Sequence, residues 1–185
     1  MNDVQTAPKI GAGKHNWDAA LRPPRGSDAL AIRELVAETG VLDLNSTYAY
    51  LLLSTDFART SIVADVDGKL QGFITGYQPP PRPGVLFVWQ VAVAATARRG
   101  GLAAAMLDAL VDRVRSDGGG GPITVEATVS PGNAHSRAFF GAFARRHGVQ
   151  MGEHAHFTAA QLDPDGAHED EPLLRIGPIG APQAD

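Results

Sequence analysis

Residues 90–107, QVAVAATARRGGLAAAML, constrain the fold more than any other stretch of this chain. A valine-rich run stops at Arg98, Arg99, Gly100 and Gly101, and a helical pattern begins at Leu102. Helix starts favour Asp, Ser or Thr, because acids suit the positive end of the macrodipole. Two arginines have the wrong sign for that place. They make sense where an anion sits, since a helix start presents unpaired backbone N–H groups and glycines let a phosphate approach the main chain closely. The spacing is Arg98-x-x-Gly101-x-Ala103. G-K-[ST] and G-x-G-x-x-G are both absent, which excludes a Walker loop and a dinucleotide loop.

Around this loop the pattern alternates. NWDAALRPP reads as a strand ended by prolines. SDALAIRELVAETG reads as a helix with Leu30, Ile32, Leu35 and Val36 as its apolar residues and Gly40 as its stop. NSTYAYLLLSTDF is a second helix opened by Asn45 or Ser46. In TSIVADVDGKLQGFITGY two strands meet at Asp67-Gly68, the strongest short hairpin signal. GVLFVWQVAV is apolar on both faces, as a central strand covered on both sides must be. The helix after the glycines places Leu102, Met106, Leu107, Leu110, Val111 and Val114 on one stripe and ends at GGGG. PITVEATV is a strand, and PGNAHSRAFFGAFARRHG is a helix with Phe139, Phe140 and Phe143 at core spacing. Two weaker strands, QMGEHAHFTAAQL and EPLLRIG, flank an acidic loop. The order is strand, two helices, three strands, helix, strand, helix, two strands.

A chain of 185 residues suits one domain. The expectation is a domain over 16–177, between tails at 1–15 and 178–185 that are too polar and Gly/Pro-rich to order. The absence of cysteine excludes disulfides, a thiolate nucleophile and Cys-based metal sites. No apolar run is long enough to span a membrane, and the first residues lack the apolar core of a secretory signal. A net charge of -4 and a pI of about 5.8 argue against nucleic acid as a partner. The expected setting is the cytoplasm.

The loop at Arg98–Ala103 resembles the R/Q-x-x-G-x-G/A pyrophosphate loop of the GCN5-related N-acetyltransferases, which bind acetyl-CoA, and the element order matches that family over roughly residues 16 to 177. The resemblance implies an α/β fold of the α+β kind, with a mixed, mostly antiparallel central sheet splayed at its middle strands and flanked by helices. Four further stretches, LDLNSTYAYLLLSTDF, FITGYQPPPRPGVLFVWQVAV, SPGNAHSRAFF and HEDEPLLRI, resemble the diaminobutyrate acetyltransferases of ectoine biosynthesis, an osmotic-stress pathway. That resemblance implies acetyl transfer from acetyl-CoA to the side-chain amine of L-2,4-diaminobutyrate.

The same resemblance implies roles for particular residues. Main-chain groups of Val91, Ala92 and Val93 pair with the pantetheine arm. The N–H groups from Arg99 through Gly100, Gly101 and Leu102 to Ala103 hold the pyrophosphate, and Arg98 and Arg99 add charge. Asn133 contacts the arm, with Ser136 one turn on; Asn133 is also a natural helix cap. Asp43 pairs with a substrate ammonium, where the residues alone suggest a local cap. Trp89 walls the cleft, although a central strand more often places tryptophan in the core. Glu169 is the second ammonium contact, with His168 or Glu171 as alternatives in a run that is otherwise a solvated loop.

An alkyl ammonium cannot attack a thioester until it loses a proton. Glu126, Glu169 and Asp43 are the candidate bases, and Glu126 equally suits a carboxylate paired with a neighbouring arginine. Many relatives protonate the departing thiolate with a tyrosine where this chain has Phe140. The chain has three tyrosines, Tyr48, Tyr50 and Tyr77. Either one of them is the acid, with Tyr48 preferred because it follows the Asp43 loop, or the thiolate leaves unassisted. His154 and His156 share one face of a strand, but two ligands are too few for zinc, so no metal is expected. The resemblance also implies a homodimer formed through the C-terminal strands, whose edge is otherwise open. The competing readings are an acetyltransferase for another small amine and a catalytically inactive CoA-binding module, which the missing tyrosine at Phe140 keeps open.

Overall fold

The Asp67-Gly68 pair makes the turn that its composition demands. Both residues have positive φ, 51° and 81°, as a two-residue hairpin of the primed type requires. In the computed structural model, which describes residues 19–163, 166 and 168–180, this turn joins β2 (Ile62–Val66) to β3 (Lys69–Tyr77). The other elements are β1 (Ala20–Arg22), α1 (Ala29–Thr39), α2 (Thr47–Ser54), β4 (Val85–Val93), α3 (Leu102–Asp117), β5 (Ile123–Thr128), α4 (Ala134–Arg146), β6 (Met151–Phe157), α5 (Ala159–Leu162) and β7 (Glu171–Ile179). The expected order holds, with α5 added before the acidic loop. The seven strands form one mixed sheet in the order β1-β2-β3-β4-β5-β7-β6. The β4–β5 pair is parallel over Val85–Phe87, opposite Thr124–Glu126, and β4 runs on to Val93 beyond that pairing.

The last strand reaches Ile179, two residues past the expected domain end at 177. The proposed tail residues 1–15 and 181–185 lie outside the described residues, as do 16–18 of the first expected strand.

The packing forms two units. The first contains the described residues up to Gly76 together with Gln90–Arg113. Its core joins Ile32, Leu35 and Val36 of α1 to Tyr50 and Leu53 of α2 and to Val63, Phe73 and Ala92 of the strands. Leu30, expected on the same stripe, is 61% exposed. It lies two residues from Ile32, and two residues on a helix point to opposite sides. Ser46 rather than Asn45 opens α2, its hydroxyl accepting from Ala49 N–H at 3.2 Å. Gly72 is closely packed: a Cβ there would meet the flexible end of Met106 at 2.9 Å and the Ala92 carbonyl at 3.1 Å.

The second unit contains Tyr77–Trp89 and the described residues from Val114 onward. Here α4 lies against β6 and β7, and Val125, Phe143, Leu174 and Ile176 are fully buried. Phe140 is buried as well, at 3% exposure. Gly40, which follows α1, adopts the left-handed conformation that commonly ends a helix (φ 65°).

Candidate active site

In the first unit the Arg98–Leu102 loop leaves β4 through one turn of 3₁₀ helix (Ala95–Ala97). Arg98 is extended, with φ -66° and ψ 158°, whereas Arg99 and Gly101 have φ of 66° and 77°. Such changes of backbone hand turn successive N–H groups inward to form an anion-binding concavity. A non-glycine residue in the left-handed region costs on the order of 1–3 kcal/mol and persists where its surroundings impose it. The first α3 bond runs from Ala105 N–H to the Gly101 carbonyl, so the N–H groups of Leu102, Ala103 and Ala104 precede the helical ladder. The Arg98 guanidinium donates from Nε to the Val93 carbonyl at 3.3 Å, which places its charge at the end of β4. A cavity of about 240 Å³ opens beside the loop, lined by Val66, Gln71, Thr96, Ala97, Arg98, Gly100 and Leu102. Positive charge, N–H groups ahead of the helical ladder and adjacent space suit a pyrophosphate and the groups attached to it.

The strand before this loop is tied to the Asp43 turn. Gln90 is 5% exposed; its Nε2 donates to the Asp43 carbonyl at 2.9 Å, and its Oε1 accepts from the Tyr50 hydroxyl at 3.3 Å. The Tyr50 oxygen also accepts from Asn45 N–H at 3.2 Å. Asp43 is therefore held by its main chain while its side chain stays exposed. Because Ser46 caps α2, the carboxylate of Asp43 is not used as the cap. Tyr48, on the same helix, is 69% exposed. The Val91 and Val93 side chains are partly buried, and Ala92 is buried.

In the second unit, Trp89 is 42% exposed on β4. Glu126, on β5, is fully buried and paired with two arginines. Arg82 Nη1 meets its Oε2, and Arg175 Nε stands 3.3 Å from its Oε1. That is the arginine-paired alternative for this carboxylate. Glu169 Oε2 accepts from Gly132 N–H at 2.8 Å, which brings it to the turn that opens α4. There Asn133 Oδ1 accepts from Ser136 N–H at 3.0 Å, so Asn133 is a cap, and Ser136 is partly buried behind it. Glu171 accepts from the Thr128 hydroxyl at 2.6 Å, and His168 sits against its neighbour's carbonyl. His154 and His156 are exposed on β6, and among the described residues no three His, Asp or Glu side chains group to hold a metal ion.

The residue-by-residue reading thus separates into two clusters. Arg98–Ala103, Val91–Val93 and Asp43 gather in the first unit, with Tyr48 on an exposed helix face. Glu126, Trp89, Asn133, Ser136 and Glu169 belong to the second. The sequence did not single out Gln90, Arg82 or Arg175, and it offered Tyr50 only as a candidate acid, not as the partner of Gln90. The available signal was a glutamate inside the apolar run PITVEATV, since a buried charge needs a partner.

Residues 30–144 match the model of the acetyltransferase (GNAT) family. The L-2,4-diaminobutyric acid acetyltransferase of Streptomyces coelicolor is 46% identical over 166 residues, covering 89% of this chain and 95% of its own. The protein of that name from Bordetella parapertussis is 44% identical, covering 88% and 86%. The chain belongs to the GNAT acetyltransferases. Among solved structures, the diaminobutyrate acetyltransferase EctA from Paenibacillus lautus, in complex with L-2,4-diaminobutyric acid and coenzyme A, matches this acetyltransferase with a TM-score of 0.77. It is 40% identical, and the match covers 88% of this chain and 96% of that one. The concavity at Arg98–Leu102 lies within the residues that match the family model. The described residues include no helix long and apolar enough to cross a membrane.

Proposed function

We propose that this acetyltransferase transfers the acetyl group of acetyl-CoA to the side-chain (γ) amine of L-2,4-diaminobutyrate, giving N-γ-acetyl-L-2,4-diaminobutyrate for ectoine biosynthesis. The observation that carries this reading is the 40% identity, over nearly the whole length, to a structure in complex with both that amino acid and coenzyme A.

The chain's own groups suit the chemistry. Arg98, Arg99 and the N–H groups from Gly100 to Ala103 take the cofactor phosphates, and the main chain of Val91–Val93, with Asn133 and Ser136, takes the pantetheine arm. Asp43, steadied by Gln90, holds the α-ammonium and so leaves the side-chain amine to react. Trp89 walls the pocket. Glu169 faces the side-chain ammonium and passes its proton to solvent, since only the neutral amine has a lone pair to give. The amine nitrogen then bonds to the acetyl carbon and gives up a second proton to solvent, the carbon–sulfur bond breaks, and the thiolate takes a proton. With Phe140 carrying no hydroxyl and buried at 3% exposure, Tyr48 is the proposed donor. Glu126, engaged by two guanidiniums, is more useful as their anchor than as a base.

The proposed setting is the cytoplasm, and the proposed assembly is a homodimer. In support, β6 ends the sheet and exposes Met151 and Phe157 at 37% and 40%, an edge that a second copy would cover.

A panel of amines with acetyl-CoA and a thiol-detecting reagent tests the function. Thiol release with diaminobutyrate, and little with lysine, ornithine or spermidine, is the expected result. Release with another amine instead would reassign the substrate, and CoA binding without release from any amine would favour the inactive module.

A further inference from the structure

Diaminobutyrate carries two ammoniums and one carboxylate. The residues proposed to hold it, Asp43 and Glu169, answer the two ammoniums, and Trp89 and Tyr48 are uncharged. Arg98 and Arg99 belong to the cofactor loop. Nothing so far named answers the carboxylate.

The second unit contains a matching group. Phe87 of β4, Glu126 of β5 and Arg175 of β7 are successive partners in one row across three strands. Partners of this kind share a face of the sheet. Arg82 reaches the same carboxylate from the loop between β3 and β4. Two guanidiniums on one carboxylate leave one positive charge unbalanced, and the two arginine side chains are 38% and 48% exposed while Glu126 is fully buried. The carboxylate is thus at the bottom and the surplus charge at the surface. Of the acids on β6 and β7, Glu153 is paired with Arg137, and Glu171, which accepts from the Thr128 hydroxyl, lies four residues along β7 from Arg175, roughly 13 Å at the rise of a strand.

The Arg175 contact has room to change. Its Nε lies 3.3 Å from Glu126 Oε1, yet that oxygen is buried without a hydrogen bond. Charge rather than a directed bond keeps Arg175 there, so its terminal nitrogens can turn to a ligand. Guanidinium is the side chain best matched to a carboxylate, because its paired N–H groups meet both oxygens. Trp89 stands two residues along β4 from this row, roughly 7 Å at the rise of a strand.

We propose that Arg82 and Arg175, anchored by the buried Glu126, form the subsite for the α-carboxylate of the amino-acid substrate. This rests on the proposed activity toward diaminobutyrate. Arg82 and Arg175 are binding residues, and Glu126 is a positioning residue that fixes the direction of both. The subsite would select amino acids over plain diamines, which share the reacting amine but lack the acid.

The test compares diaminobutyrate with 1,3-diaminopropane, the same diamine without its carboxylate, for wild type, Arg175→Gln and Arg175→Lys. In both variants Glu126 keeps Arg82 as a partner, and acetyl-CoA titration reports whether the cofactor side is intact. Should Arg175→Gln fail to fold, Arg82→Gln carries the same comparison. Arg175→Gln should lower kcat/KM for diaminobutyrate about 10- to 100-fold, mostly through KM, and leave diaminopropane within about twofold. Arg175→Lys, which keeps the charge but not the paired N–H groups, should recover only part of the loss. An equal fall for both amines, or no fall for either, would overturn the subsite and leave the proposed activity standing. No thiol release from wild type with diaminobutyrate would remove both.

Discussion

The Gln90 amide donates to the Asp43 carbonyl at 2.9 Å, tying the strand proposed to bind the pantetheine arm to the turn proposed to bind the substrate. Both ends of this link are in the first unit. Its other half, the Tyr50 hydroxyl on Gln90 Oε1, is buried, so it is shielded from competing water.

Gln90→Leu removes both bonds and leaves the buried Tyr50 hydroxyl without its acceptor, while the Asp43 carbonyl keeps Asn45 Nδ2 at 3.3 Å. Leaving such a group unsatisfied costs roughly 1–3 kcal/mol. The expected result is a lower Tm by thermal unfolding and a KM for diaminobutyrate raised about tenfold, with the acetyl-CoA Kd unchanged. A variant with wild-type KM would show that the link is structural only.

Asp43→Asn keeps shape and hydrogen-bonding capacity and removes the charge. Loss of a hydrogen bond to a charged group costs roughly 1.5–3 kcal/mol, which is an order of magnitude or more in kcat/KM for diaminobutyrate. Calorimetry should find acetyl-CoA binding untouched. Equal kcat/KM in variant and wild type would move the α-ammonium site away from this turn.

At the cofactor loop, Arg98→Gln should weaken acetyl-CoA binding about tenfold by calorimetry and lessen its salt dependence, because a screened charge is lost. The KM for diaminobutyrate should stay put. Gly101 is a poorer probe. At φ 77° any side chain strains the backbone, so a weaker cofactor would not separate lost space from a distorted loop.

The pH dependence of stability follows from the start of α1. Arg22 joins Asp28 at 2.7 Å and Asp65 at 2.8 Å. Burial pushes the Asp28 carboxyl up, but the Arg22 guanidinium and the Arg25 N–H together hold it below the usual carboxylate range. A carboxyl lowered on folding contributes stability above its unfolded pKa, about 3.9, and loses it as pH falls through the folded value. Thermal unfolding should therefore show stability falling below about pH 4. Arg22→Gln should be less stable at pH 7 and flatter in acid; the same acid slope in both would remove Asp28 as its source.

The local elements were legible because their causes are local. Asp67-Gly68 specifies a turn by itself, and the apolar stripe from Leu102 to Val114 is a single helix face, buried throughout. The proposal of a phosphate loop came from the sequence alone, because arginines at a helix start contradict the macrodipole unless an anion answers them. The second arginine pair was not legible. Arg82 is 44 residues from Glu126 in the chain, and Arg175 meets it through the β5–β7 register, which no periodicity reports. Choosing between Asn45 and Ser46 as the α2 cap likewise depended on dihedral angles, since both residue types cap well.

The most direct test of the central claim is the position of the new amide. Diaminobutyrate incubated with the protein and carbon-13-labelled acetyl-CoA gives a product whose NMR spectrum shows which nitrogen carries the acetyl carbon. The account predicts a single product labelled on the side-chain nitrogen. Label on the α-nitrogen, or no labelled amide at all, would contradict it.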